Sequence, residues 1–182
     1  MFKPRTLTMR GKPIEILELE DVYAVPPSRP ERIERFGTPG RRASSKKPSA
    51  LGSASLQVNA TDLAAFESAG WSFVEGRQPS PSARAEPAAK IYVKGGGHLA
   101  VGTDRLTVKL RTGIGESDAN SFFQRYGLPI VDRLGFAPGL YQVQVLPDSA
   151  RDVIDVANDL GQDSMVEFAE PEFVEFFGHR NR

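Results

Sequence analysis

The stretch from Lys90 to Ala169 switches repeatedly between a two-residue and a helical period, and the order of those switches constrains the fold more than any other feature. AKIYVKGGGHLAVG has the pattern of a hairpin turned at Gly95–Gly97. RLTVKLRT places Leu106, Val108 and Leu110 at alternate positions, as a strand with one buried face requires. Ser117 is the expected cap of a helix with Ala119, Phe122, Phe123 and Tyr126 on its apolar face and Gly127 as its stop. Pro129–Leu134 reads as a strand, Pro138–Gly139 as a turn, and Leu140–Leu146 as a strand with Tyr141, Val143 and Val145 on one side. Ser149 is the expected cap of a second helix. It would have Asp152 at its third position, Val153, Val156, Ala157 and Leu160 inside, and Gly161 at the end. Met165–Ala169 closes the series as a strand with Val166 and Phe168 on one side.

This order is β-α-β-β-α-β, the ferredoxin-like split unit, and it predicts an α+β domain with two helices on one face of a four-stranded antiparallel sheet. The opposite face is then open, and an open face is expected to meet a partner. Upstream, TLTMRGKPIEILELEDVYAV predicts a β-meander: Thr6–Met9, a turn at Arg10–Pro13, Ile14–Leu17 and Val22–Val25. ATDLAAFESAGWSFVEG predicts a helix capped by Thr61 or Asp62, with Leu63, Ala64, Phe66 and Ala69 on one side. It ends at Gly70 and leads into a strand, Trp71–Val74.

Two runs rich in Pro, Gly and Ser carry neither period. The expected organisation is therefore a meander (1–25), a basic flexible linker (26–57), a helix–strand unit (58–76), a second linker (77–89) and a C-terminal domain with its tail (90–182). The middle and C-terminal parts also look like a partial duplication. Phe66, Gly70 and Val74-Glu75 have the same spacing as Phe123, Gly127 and Val131-Asp132, and each set follows a hairpin.

Charge excludes several function classes. The chain balances 23 basic against 23 acidic residues, but unevenly: basic residues crowd Pro26–Ala50 and acidic ones Asp148–Glu175. The basic stretch has only Phe36 for base stacking, which favours a solvated tether over a nucleic-acid arm. Tyr141-Gln-Val-Gln-Val145 offers one aromatic and no cation, too little for an RNA-binding sheet. No stretch is apolar enough to span a bilayer and the N-terminus lacks the apolar segment of a signal peptide, so the expectation is a soluble chain, cytoplasmic if complete.

The absence of cysteine excludes disulfides and thiolate chemistry. His98 lies in a glycine turn and His179 in the tail, so neither is expected to have the rigid neighbours of a general base. Gly113-Ile114-Gly115 is placed like a dinucleotide loop, but Asp118 at the third glycine position would repel a pyrophosphate. Asp152, Asp155 and Asp159 fall opposite the apolar helix face and read as solvated. No enzyme, cofactor or metal is expected.

The segment from Arg105 to Glu175 resembles the propeptide of subtilisin-like serine proteases, particularly fervidolysin-like prodomains. The resemblance rests on Phe123-x-x-x-Gly127-x-x-Ile130-Val131, on the Leu140–Val145 strand leading into a helix, and most specifically on Val166-x-Phe168-Ala169-Glu170-Pro171-Glu172. It covers about the last half of the chain. It implies a ferredoxin-like fold and an intramolecular chaperone and tight inhibitor whose partner is a subtilisin-like catalytic domain.

In that family the open sheet face packs on two protease helices, and acids just after the last strand cap them. The resemblance gives that role to Glu170 and Glu172, which have the right sign for a helix N-terminus. The tail from Phe173 would enter the substrate cleft as an added strand, with Phe176, Phe177, Gly178, His179 and Arg180 as the cleft segment. The alternative is a non-catalytic regulatory or scaffold module that kept the fold without protease binding.

Overall fold

The structure is a computed structural model, and it describes residues 1–27, 58–76, 88–149 and 151–176. The linker expectations for 28–57 and 77–87, and the cleft assignments of Phe177, Gly178, His179 and Arg180, lie outside the described residues. The architecture is α+β, as the periodicity predicts; among the described residues a single antiparallel sheet of eight strands joins the four of the expected C-terminal unit to strands from the meander, the helix–strand unit and the hairpin arm before His98.

Strands β1 (Phe2–Met9) and β2 (Lys12–Val25) form a hairpin closed by the Met9–Lys12 pair. Its loop is Arg10-Gly11, with φ of 48° and 75°, the two left-handed positions of a type I′ turn. β2 is one long strand where two were expected. One edge pairs first with β1 and then, over Val22–Val25, with β3 (Ser72–Glu75); the other edge pairs with β4 (Ala89–Lys94).

Strand β5 repeats this device. It runs unbroken from His98 to Leu110, so the expected hairpin arm and the strand after it are continuous. Gly102 is not a turn here. A Cβ at Gly102 would stand 2.8 Å from Cε2 of Tyr92, so the glycine admits a ring from the neighbouring strand. One edge of β5 pairs with β4 over His98–Val101 and then with β7 (Leu140–Gln144) over Arg105–Lys109. The other edge pairs with β8 (Val166–Val174). β6 (Ile130–Arg133) pairs with β7, so this half of the sheet has the order β8-β5-β7-β6, antiparallel throughout.

Both faces of the sheet centre are covered. Ile91, Tyr92 and Val93 are buried in succession, as are Leu99, Ala100 and Val101, which an amphipathic strand with one wet face could not tolerate. Tyr92 and Ala100 join Leu7, Leu106, Val108 and Val143 under helices α2 (Glu116–Arg125) and α3 (Val153–Leu160), which contribute Phe122, Phe123, Ile154 and Leu160. Ile91, Val93, Leu99 and Val101 face a second core around Phe66 of helix α1 (Ala60–Ser68). Complete burial of a side chain such as Phe66 contributes about 1.5–3 kcal/mol.

Three helix starts differ from expectation. Asn59 caps α1, its Oδ1 accepting from Thr61 N at 2.9 Å, so neither Thr61 nor Asp62 does. Gly115 rather than Ser117 precedes α2, and Asp152 itself caps α3, accepting from Ile154 N at 2.8 Å. Ser149 instead ends a 3-10 turn, Pro147–Ser149. Several neighbouring residues were chemically able to cap each helix, and packing of the apolar face chose among them.

The two copies of the spaced motif share local geometry. Gly70 (φ 87°) and Gly127 (φ 67°) both end a helix in the left-handed region. Trp71 N donates to Phe66 O as Leu128 N donates to Phe123 O, the same Schellman closure. Their placement differs: β3 pairs directly with β2, whereas β7 lies between β6 and β5.

Candidate functional site

Alternation along β5, β7 and β8 sends Val108, Tyr141 and Ala169 into the core and Thr107, Gln142 and Glu170 to the other face. That face is polar. Glu172 Oε1 accepts from Thr107 Oγ1 at 3.0 Å and from Gln142 Nε2 at 2.8 Å. Arg105 donates to Gln142 Oε1 at 3.1 Å, and Thr103 Oγ1 donates to the Glu172 carbonyl at 2.9 Å. The Glu172 side chain is thus held by two neighbouring strands, and Oε2 receives no hydrogen bond from the described residues.

Glu170 is tied differently. Its Oε1 lies 3.4 Å from Nε of Arg10, whose guanidinium sits 5.7 Å above the Phe168 ring. That oxygen is buried without a well-aligned hydrogen bond, so the pair is an ion contact only. Both acids lie within β8, which corrects the expectation that they follow the last strand. Pro171 does not end the strand because β8 has β5 as its only partner among the described residues, and an edge strand tolerates a residue lacking N–H.

The aromatics after Glu172 point inward. Phe173 packs on Tyr92 with ring centroids 5.5 Å apart, and Lys94 Nζ stands 4.2 Å over its ring. Lys94 also pairs with Glu175. Phe176 meets Phe66 edge-on at 4.7 Å, in the second core. The start of the tail is therefore pinned to the sheet.

An ionic cluster that sequence reasoning missed lies at the head of α3. Lys90 Nζ pairs with Glu18 at 2.7 Å and with Asp152, while Arg5 reaches Glu18 and Asp155 at 2.8 Å each and Asp152 at 3.5 Å. The Glu18 and Asp152 side chains are only 9% and 10% exposed, which corrects the reading of Asp152 as part of a solvated face, whereas Asp155 is 60% exposed and reaches the cluster from its wet edge. Burial opposes the charge on Arg5 and Lys90, but the surrounding carboxylates outweigh it and leave both pKa values raised. Burial, aided by Asp152 and Glu18, likewise pushes the Tyr92 hydroxyl up. That hydroxyl has no hydrogen-bond partner among the described residues. The only hint in the sequence was a charge, Glu18, between Leu17 and Leu19.

His98 also has a rigid neighbour after all. Asp62, buried in the first turn of α1, accepts from Leu99 N at 3.1 Å and lies 3.1 Å from His98 Nδ1. This contact docks α1 on the β4–β5 turn. Among the described residues, no group of three or more His, Cys, Asp or Glu side chains is arranged to hold a metal, and no helix is long and apolar enough to cross a membrane.

No family model matches the chain, and no match was found among curated proteins or solved structures.

Proposed function

We propose that the protein is a propeptide-like inhibitor and folding chaperone of a subtilisin-like serine protease. The binding unit is a ferredoxin-like domain, β5-α2-β6-β7-α3-β8, docking through its polar sheet face. The reading is carried by one observation: Glu172 stands on the face opposite α2 and α3, oriented by Thr107 and Gln142. A carboxylate fixed in this way loses little side-chain entropy on meeting a helix N-terminus, where each contact contributes on the order of 0.5–2 kcal/mol. Glu170, beside it in β8, adds a second acid once Arg10 moves aside.

The test is hydrolysis of a chromogenic peptide by a panel of subtilisin-like enzymes with the full chain added. The expected outcome is slowing of at least one enzyme, weakened by the double substitution Glu170→Gln and Glu172→Gln with the melting temperature unchanged. Undiminished inhibition by the double variant, or no inhibition across the panel, overturns the reading.

A further inference from the structure

Arg10 occupies a backbone position that disfavours it. With φ of 48° it is the only non-glycine residue in the left-handed region among the described residues, and it fills the first central position of the β1–β2 turn. Asn, Asp or Gly fits that position at little cost, whereas a long side chain is strained there. A strained residue points to a role for its side chain.

That side chain lies over β8. Its guanidinium is 5.7 Å from the Phe168 ring, within cation–π reach, and its Nε is 3.4 Å from Glu170 Oε1. The turn is fixed in this place from the other side. Asn158 of α3 accepts from Thr8 N and donates to Thr6 O, and Asp155 pairs with Arg5, so the hairpin is tied to the helix that packs on β8.

The two acids of the polar face therefore stand in different states. Glu172 is oriented by neutral donors, and its Oε2 receives no hydrogen bond from the described residues. Glu170 instead faces a cation. Its side chain is 18% exposed and its Oε1 is buried without a hydrogen bond, although Arg10 itself is largely exposed. The contact compensates the charge of the carboxylate but leaves its acceptor unfilled, so a better-aligned donor gains by replacing it.

We infer that Arg10 is an intramolecular mask on Glu170: the hairpin turn holds back the second docking acid, and a partner's helix N-terminus engages it only by displacing the guanidinium. The inference rests on the docking role proposed above for the polar face and adds its regulation. Glu172 makes the first contact. Glu170 follows by exchanging Arg10 for backbone N–H donors, which supply the aligned bonds that the arginine does not. Because the arginine side of the masking pair is exposed to water, salt weakens it.

The experiment compares the full chain with Arg10→Asn, which removes the guanidinium and suits the left-handed turn, so the hairpin is expected to keep its fold. Carbodiimide coupling of a glycine ester, read by peptide mass mapping, reports carboxyl access without any protease. Glu167, exposed on the same strand, is the internal reference. Labelling of Glu170 relative to Glu167 is expected to rise at least about threefold in the variant, and to rise with salt only in the unsubstituted chain. Inhibition of an enzyme that the chain slows should tighten about two- to fivefold in Arg10→Asn, the range that an exposed ion pair supplies. Adding Glu170→Gln should abolish that gain. Equal labelling of Glu170 in the two chains overturns the mask. Faster labelling with unchanged inhibition overturns its regulatory role while leaving the docking reading intact. If neither chain slows any enzyme, the docking reading fails and the regulatory role with it, and the labelling alone decides whether Arg10 covers Glu170.

Discussion

Arg5 on the first strand and Asp155 on the last helix stand 2.8 Å apart across 150 residues of sequence. With Glu18, Lys90 and Asp152 beside them, they join the N-terminal hairpin to the helix side of the C-terminal half. The meander is therefore a part of the same folded body and not an appended extension. Asn158 strengthens the link, accepting from Thr8 N at 2.9 Å and donating to Thr6 O at 2.8 Å.

The cluster should be costly to break from one side. Glu18→Leu leaves Arg5 and Lys90 to share the remaining carboxylates in a largely buried site, and the expected loss is about 3 kcal/mol in urea denaturation. Asp159→Asn, which breaks only the exposed pair with Arg151, is expected to change stability by no more than about 0.5 kcal/mol.

Two glycines should respond oppositely to alanine. Gly102→Ala drives a methyl group against the Tyr92 ring and should cost about 1–3 kcal/mol through forced repacking. Gly135→Ala meets nothing within 4 Å and should be neutral or slightly stabilising, because only the unfolded chain loses freedom. Thermal melts of the two variants make the comparison.

Stability should fall at both pH extremes for separate reasons. Donation from Met165 N, with the Tyr126 hydroxyl, holds Asp163 below its ordinary value of 3.8 despite opposing burial. A depressed carboxyl stabilises above its unfolded pKa and loses that contribution as pH falls through and below 3.8. Asp163→Asn should therefore flatten the acid limb in urea titrations. Lys90 is raised above 10.5, so its contribution is complete below that value and disappears as pH rises through the folded pKa.

Phe176 distinguishes a core role from a cleft role. With its ring against Phe66, Phe176→Ala is expected to cost about 1–2 kcal/mol of stability, less than a fully enclosed phenylalanine because it is half-buried. An unchanged melting temperature with lost protease inhibition would assign the ring to a partner instead.

Local signals were legible wherever neighbours in sequence settle the outcome. The alternation of Leu106, Val108 and Leu110 and of Tyr141, Val143 and Val145 gave the buried faces correctly. Gly70 and Gly127 ended their helices because few other residues accept φ near +70° to +90° without strain. Arg10-Gly11 turned its hairpin for a related reason. The candidate site was legible in part: alternation alone puts Thr107 and Gln142 opposite Val108 and Tyr141, but not Glu172 beside them.

The sequence by itself determined the class of fold, the two helices flanked by strands and the glycine stops, since these follow from side-chain period and backbone sterics over a few residues. Tertiary structure decided what depends on partners distant in the chain. It joined β5 into one strand shared between β4 and β7, because hydrogen-bonding edges are filled by whichever strand arrives. It also drew Asp152 from an apparently wet helix face into a cluster with Arg5 and Lys90, because a buried charge is tolerated only where opposite charges from other elements meet it.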